Sequence, residues 1–252
     1  MEKQSYLNFN LDKTIDLILP AYNESESIKK SIEDFESLNL FSNIIVIDNN
    51  STDNTAEQIK KTKAIYCLEK KQGYGSAMIS GFKYSQSDII ITCEPDLTFS
   101  HLDVYKFLSY LNDFDCVFGT RTSKSMIELG AKMNPYLRYG NIFVAKILEY
   151  LFFGPSLTDV GCSYKAFKKQ SIKKICNSLD ISGSHFQPEL MIKLIENKNR
   201  IIEIPVFYLK RKGYSKITYN FSSSLKVAIN MLFLILKLFI LKIFKLKKFN
   251  VE

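Results

Sequence analysis

Residues 88–96, DIIITCEPD, carry the reading on which the fold turns. The run Ile89-Ile90-Ile91-Thr92-Cys93 is apolar without polar alternation, as in a strand covered on both faces. It stops at Glu94 and Asp96, with only Pro95 between them. Two carboxylates this close repel and raise each other's pKa, so something positive is expected between or in front of them. A strand that is apolar along its length and polar only where it runs out describes an α/β sheet whose ligands bind at the carboxyl ends of its strands.

The same pattern recurs on either side. Upstream, IDLILPAY (15–22) reads as a buried strand stopped by Pro20, NIIVID (43–48) as a second and AIYCLE (64–69) as a third. Downstream, DCVFGTR (115–121) is a fifth. Helices are predicted between them. Asn23 and Glu26 suggest a capping box for a helix with Ile28, Ile32, Phe35 and Leu38 on one face. Residues 54–61 form a short helix, 73–86 one with a glycine-rich entry, and Ser100 with Asp103 a second capping box for a helix through Leu111. Polar clusters fall at four strand ends: Tyr22-Asn23-Glu24, Asp48-Asn49-Asn50-Ser51, Glu94-Pro95-Asp96 and Gly119-Thr120-Arg121. A helix cap explains any one of them; four on one edge describe a site.

The second half is less regular. Residues 134–153 read as an apolar, aromatic helix, 158–167 as a loop and strand, 188–197 as a helix and 200–208 as a strand. At 252 residues the chain is one large domain or one with an appendage, and 46% apolar content is enough for a real core. Five cysteines without close pairs show neither a zinc spacing nor a disulfide framework and point to a reducing compartment. The first thirteen residues lack the apolar core of a signal peptide. The net charge of +8 is uneven: from Lys198 onward there are 12 basic and 2 acidic residues, against 22 and 24 before it. Lipid, nucleic acid or a phosphorylated ligand each fit such a segment. Its basic residues are interleaved with long aliphatics and not with stacking platforms, which disfavours nucleic acid. Residues 225–249, LKVAINMLFLILKLFILKIFKLKKF, put Lys226, Asn230, Lys237 and Lys248 on one side of a helix, with Lys242 off it. The segment reads as one or two helices lying in a membrane interface. A core helix of a soluble dimer and a tilted span with snorkelling lysines are the alternatives. Gly73-x-Gly75 lacks the strand position and third glycine of a dinucleotide fingerprint, and His101 and His185 have no ligand pattern.

Taken in order and spacing, ILPAYNESESI, VIDNNSTDNT, KQGYGSAMISGF, EPDLT, GTR, DVGCSYKAF and EIPVFYLKRKGYSKI resemble the inverting glycosyltransferases of family 2. They look most like the dolichyl-phosphate mannosyltransferase and undecaprenyl-phosphate sugar transferase branch. The resemblance covers residues 14–217. It implies a GT-A-type α/β fold, a mostly parallel sheet with helices on both faces, after a short extension (1–13) and before a basic amphipathic membrane-associated tail (218–252). It also implies a GDP- or UDP-sugar donor and Mg²⁺ or Mn²⁺. Pro20, Ala21, Tyr22 and Glu24 match the donor-binding first loop, Asp48 the acid at base or ribose with Ser51 close by, and Gly75 the glycine beside the nucleotide. Glu94 and Asp96 match the paired-acid metal motif, and Arg121 the arginine of a Gly-Ser-Arg element. Asp159 matches the acid before a Gly-Cys-Gly-Phe-Arg-like stretch, and Arg211 and Lys216 the basic loop after the EIPV strand. The chain departs from the family where Glu94 and Asn49 stand for aspartates, Thr98 for glutamine and Lys165 for arginine.

The implied chemistry builds negative charge on a departing diphosphate, which a divalent ion held by Glu94 and Asp96 would stabilise. A polyprenyl phosphate acceptor is already anionic and needs cations to hold it, for which Arg121, Arg138, Arg211 and Lys216 are candidates. A saccharide hydroxyl acceptor would need a base instead. Asp159 is either that base or the residue that orients an arginine. Asp96, Asp159 and Arg121 are therefore the expected catalytic set. The expected setting is the cytoplasmic face of a membrane, with peripheral or monotopic attachment. A saccharide-directed transferase and a non-catalytic membrane adaptor are the other readings.

Overall fold

The computed structural model describes residues 12–211 and 221–249, with residues 221–224 and 245–249 as backbone. Seven strands follow in chain order: β1 (Ile15–Ala21), β2 (Asn43–Asp48), β3 (Ile65–Leu68), β4 (Ile89–Thr92), β5 (Cys116–Thr120), β6 (Lys165–Lys168) and β7 (Ile201–Pro205). They form one sheet in the order β3-β2-β1-β4-β6-β5-β7. β1 pairs in parallel with β2 and β4, β2 with β3, and β5 with β7. β6 runs antiparallel to both β4 and β5. Since β4 and β5 both oppose β6, they are parallel to each other, and six strands end on one rim. The chain steps outward from β1 to β2 and β3, then returns to place β4 on the other side of β1. The loops leaving β1 and β4 part at this reversal and open a crevice.

Helices cover both faces, which is why the strands read as unbroken apolar runs. On one face Ile18, Ile45, Ile47, Ile90, Phe118 and Phe167 pack beneath α3 (Tyr74–Tyr84), α5 (Pro135–Phe152), α7 (Phe186–Glu196) and α8 (Phe221–Phe249). On the other, Leu17, Leu19, Val46, Ile91 and Val117 meet α1 (Ile28–Glu36) and α4 (Val104–Tyr110). Two short helices, α2 (Thr55–Ile59) and α6 (Lys169–Ile175), complete the set, the second of them absent from the sequence expectation. Asp16 on β1, 1% exposed, is among the buried carboxylates and accepts the Ser85 and Ser87 hydroxyls at 2.7 Å and the Asn43 amide at 2.9 Å.

Several local expectations change. The Asn23–Glu26 capping box does not form: α1 starts at Ile28 behind Ser27, and Asn23 adopts φ 55°, its side chain bound across to Thr52. Ser100 makes no side-chain cap; a short 3₁₀ turn precedes α4, and the Asp103 carboxylate is taken by the Phe207 amide (2.7 Å) and Lys106 (2.6 Å). Both boxes lost to tertiary partners with better-placed donors. α5 does begin as expected, with Asn134 accepting the Leu137 amide at 2.9 Å and proline at the first position. Within the expected tail, α8 runs unbroken from Phe221 to Phe249. Met231, Leu234 and Ile235 of α8 are buried against the domain, and Phe239 packs on Phe152 with ring centroids 6.0 Å apart. Residues Leu225–Phe244 are long and apolar enough to cross a membrane, by length and composition.

Candidate active site

The loop after β1 is fastened to the loop after β2. The Asn23 amide donates to Ser51 Oγ (3.0 Å), the Glu24 amide to Thr55 Oγ1 (2.9 Å), and Asn23 Oδ1 accepts the Thr52 amide (2.8 Å). This presents the Glu24 carboxylate toward the end of β4. There Asp96 bends back on itself, with Oδ1 accepting the Thr98 amide (3.0 Å) and hydroxyl (2.6 Å). Its Oδ2 is left to meet Arg211 Nη1 at 2.9 Å, and Arg211 Nη2 holds Glu24 Oε1 at 2.5 Å. One guanidinium therefore lies between two carboxylates, with its Nε buried and unpartnered among the described residues. That guanidinium is the positive partner the sequence demanded beside Asp96. Burial, then the charge of Asp96, pushes the Glu94 carboxyl up to about 7, against the pull of Arg121 and Arg211. Burial also raises Glu24, with Arg211 opposing.

A second charged unit stands behind the first. Arg121 Nε and Nη2 grip Asp159 Oδ2 and Oδ1 at 2.8 and 2.9 Å, and the amides of Arg121 and Gly161 each add a bond of 3.0 Å. Asp159 is 0% exposed. Burial would raise its carboxyl, but Arg121 and these hydrogen bonds hold it below the usual carboxylate range. Both oxygens are committed, so Asp159 orients Arg121 and has no lone pair placed for a substrate proton. Glu203 of β7 fixes this loop in turn, accepting from the Thr158 amide and hydroxyl and from the Asp159 amide.

These groups open onto a cavity of about 710 Å³ that runs from the rim to α5 and α8. Of the predicted site residues, Pro20, Ala21, Tyr22, Glu24, Glu94, Asp96, Arg121 and Arg211 line it. Five predicted residues among those described do not, the first being Asp159, fully buried behind Arg121. Asp48 is buried, accepting the Tyr66 hydroxyl (3.0 Å) and the Ser51 amide (3.0 Å), and Ser51 serves the β1 loop. Gly75 faces the 181–183 loop: its amide donates to Ser182 O at 2.8 Å, and a Cβ there would strike Ile181 O. Arg138 donates to the Thr122 carbonyl at 2.6 Å, turned from the cavity. Lys216 lies outside the described residues.

The cavity also takes residues to which the sequence assigned no site role. Asn49 donates to the Glu69 and Lys71 carbonyls (3.1 and 2.8 Å) and accepts the Gly73 amide (2.7 Å), so it holds the 69–73 loop at the wall. Its place in the polar cluster after β2 was the available signal. Tyr74 and Tyr208 sit in the quoted motifs KQGYGSAMISGF and EIPVFYLKRKGYSKI without an assigned role, Gln187 gave no signal, and Leu225 and Met231 of α8 supply an apolar wall.

Among the described residues no three His, Cys, Asp or Glu side chains are gathered to enclose a metal ion. Glu94 and Asp96 nevertheless offer hard oxygens, and the guanidinium on Asp96 stands in for a cation. That donor set suits Mg²⁺ or Mn²⁺, which take one or two carboxylates and complete their shell with phosphate oxygens and water.

The chain is 24% identical over 213 residues to an undecaprenyl-phosphate mannosyltransferase of Micrococcus luteus, covering 80% of this chain and 86% of that one. It is 27% identical over 203 residues to a dolichyl-phosphate hexose transferase of Haloferax volcanii, covering 80% and 85%. Among solved structures, it shares its fold with glucosyl-3-phosphoglycerate synthase of Mycobacterium tuberculosis. The complex with Mn²⁺, UDP and glucosyl-3-phosphoglycerate superposes with a TM-score of 0.67 at 17% identity, over 88% of this chain and 78% of that one. The complex with Mg²⁺ and UDP gives 0.65 at 18%, over 88% and 78%. The fold is thus of the GT-A type, as the resemblance implied. The model of the family described as "Glycosyl transferase family 2" matches residues 16–176, and the chain belongs to that family.

Proposed function

We propose that this chain is a metal-dependent, inverting transferase that moves a sugar from a GDP- or UDP-sugar to a polyprenyl phosphate at the cytoplasmic face of a membrane. The observation that carries the reading is the joining of two unlike regions in one cavity. At one end Glu24, Glu94 and Asp96 meet Arg121 and Arg211; at the other, α5 and α8 supply Leu137, Val144, Leu225 and Met231. The charged end suits a diphosphate and the apolar wall a lipid. The names of the two relatives, a mannosyltransferase on undecaprenyl phosphate and a hexose transferase on dolichyl phosphate, support the acceptor.

Glu94 and Asp96 would hold the divalent ion, which when bound withdraws charge from the departing diphosphate as a Lewis acid. Arg211 has two jobs in sequence: without ligand it neutralises Glu24 and Asp96, and with ligand its fork is free for phosphate oxygens. Arg121 is held in one orientation by Asp159 and presents its charge beside the Tyr208 ring, 5.5 Å away. A lipid phosphate attacks as an anion and needs such cations. A saccharide hydroxyl would need a free base, and Asp159 is not one.

The test is incubation of purified protein with UDP- and GDP-sugars, Mn²⁺ or Mg²⁺, and a polyprenyl phosphate, followed by organic extraction. Labelled sugar in the lipid phase that disappears with chelator or in Asp96→Ala is the expected result. Sugar transferred only into water-soluble product would reject the lipid acceptor.

A further inference from the structure

Gln187, in the first turn of α7, is 3% exposed and lines the cavity. One end of its amide bonds the Tyr74 hydroxyl at 2.7 Å, and the other end, Oε1, is buried with no partner among the described residues. Buried amide ends are nearly always paired, so an unpaired one on a cavity wall calls for a ligand group. If the amide is turned over, an unpaired donor takes the place of the unpaired acceptor. A hydroxyl answers either orientation, because it both donates and accepts. A phosphate or a metal ion answers only one.

The surrounding wall narrows the ligand further. Gly73, Tyr74, Ala77 and Ser184, which line the cavity with Gln187, carry no charge, and the charge that acts on the Tyr74 hydroxyl is the Glu94 carboxylate, which repels an anion, whereas Arg121 and Arg211 mark the anion-binding end. An uncharged polyhydroxyl compound fits here better than a diphosphate. The position is also stiff. The amides of Gly75 and Ser76 donate to Ser182 O at 2.8 and 3.3 Å, and only glycine at 73 and 75 leaves room for that loop. Tyr74 packs edge-on against Phe186 with centroids 6.2 Å apart, so α3 and α7 enter the cavity as one piece.

We propose that Gln187 reads a hydroxyl of the transferred sugar and helps set which sugar the enzyme accepts. This rests on the nucleotide-sugar reading above. The experiment is calorimetric titration of the full chain, with Mn²⁺, by UDP, GDP, UDP-glucose and GDP-mannose. Wild type and Gln187→Met should bind the bare nucleoside diphosphate alike. The sugar-nucleotide that wild type prefers should bind Gln187→Met about tenfold or more weakly. Tyr74→Phe, which frees the amide from its anchor, should weaken the same sugar-nucleotide and spare the nucleoside diphosphate, and it carries the test if Gln187→Met does not fold. An unchanged ratio of sugar-nucleotide to nucleoside diphosphate affinity in the folded variant overturns the inference while leaving the donor reading intact. A wild type that binds none of the four ligands removes the donor reading, and this inference with it.

Discussion

Asp159 is a full charge with no exposure, stabilised almost wholly by Arg121 and by two amides that close its loop. Removing one partner of such a pair strands the other, at a cost of about 3–5 kcal/mol. Asp159→Asn should therefore lower the melting temperature by about 10 °C for a domain of this size, read by circular dichroism. Adding Arg121→Met should recover part of that loss, because two missing charges cost less than one stranded charge. Asp16 offers a second check, through pH. Burial pushes its carboxyl up, but hydrogen bonds from Ser87, Asn43 and Ser85 outweigh burial and hold it below the ordinary value. A depressed folded-state pKa stabilises fully above the unfolded value of about 3.9 and loses that contribution as pH falls through the folded value. Compared by urea midpoint, wild type should exceed Asp16→Asn by a constant margin, about 2 kcal/mol, above about pH 5. The margin should shrink below about pH 4. Residues of this kind were unevenly legible in the sequence. Glu94 and Asp96 announced themselves by adjacency at a strand end, and Asp159 by its motif. Gly75 and Arg138 matched the chemistry expected of them, but their partners, Ser182 and Thr122, lie in loops whose approach no local pattern records.

Loops and strands follow a different logic from single side chains, since the rim works only if its loops are fixed to one another. Asn49 shows how. It spends both amide hydrogens on the Glu69 and Lys71 carbonyls and its oxygen on the Gly73 amide, a set that aspartate cannot reproduce. Family resemblance set aspartate at this place; in this chain the loop needs the amide. Asn49→Asp should lose two donors, turn a negative charge toward two carbonyl oxygens, and cost about 2 kcal/mol in urea unfolding. Limited trypsin digestion should cut faster at Lys70 and Lys71, and an unchanged cleavage rate would show that the loop is held by other means. The strands themselves were readable because burial on both faces leaves an unbroken apolar run, and NIIVID matches β2 residue for residue. The antiparallel course of β6 was not. Four residues carry too little pattern to give direction, which is set by the long return through α5 and by pairing with β4 and β5.

At the scale of the whole molecule, α8 is the element through which the proposed function would join the charged rim to a lipid. Its inner face belongs to the domain: Met231, Leu234 and Ile235 are buried, and Leu225 and Met231 wall the cavity. Deleting the helix would open the core and the site together, so release from membranes after truncation would say little about attachment. Its outer face is the informative one. Phe233, Ile240 and Phe244 are 71%, 51% and 64% exposed, and Lys226 and Lys237 are exposed among them, while Lys242 is half-buried with its ammonium over the Phe152 ring. A surface that is apolar, solvent-facing and ringed by lysine suits an anionic bilayer, with the aliphatic stems in the interface and the ammonium groups at the headgroups. Charge placed on that face should abolish the attachment and leave the inner packing untouched. Phe233→Glu, Ile240→Glu and Phe244→Glu together should move the protein from the floating to the soluble fraction of anionic liposomes. The melting temperature should stay within about 2 °C of wild type, since exposed substitutions away from packed groups change stability little. A triple variant that still floats would place the membrane contact on another surface, with the exposed Tyr136, Tyr139 and Phe143 of α5 next in order, because α5 packs directly beside α8.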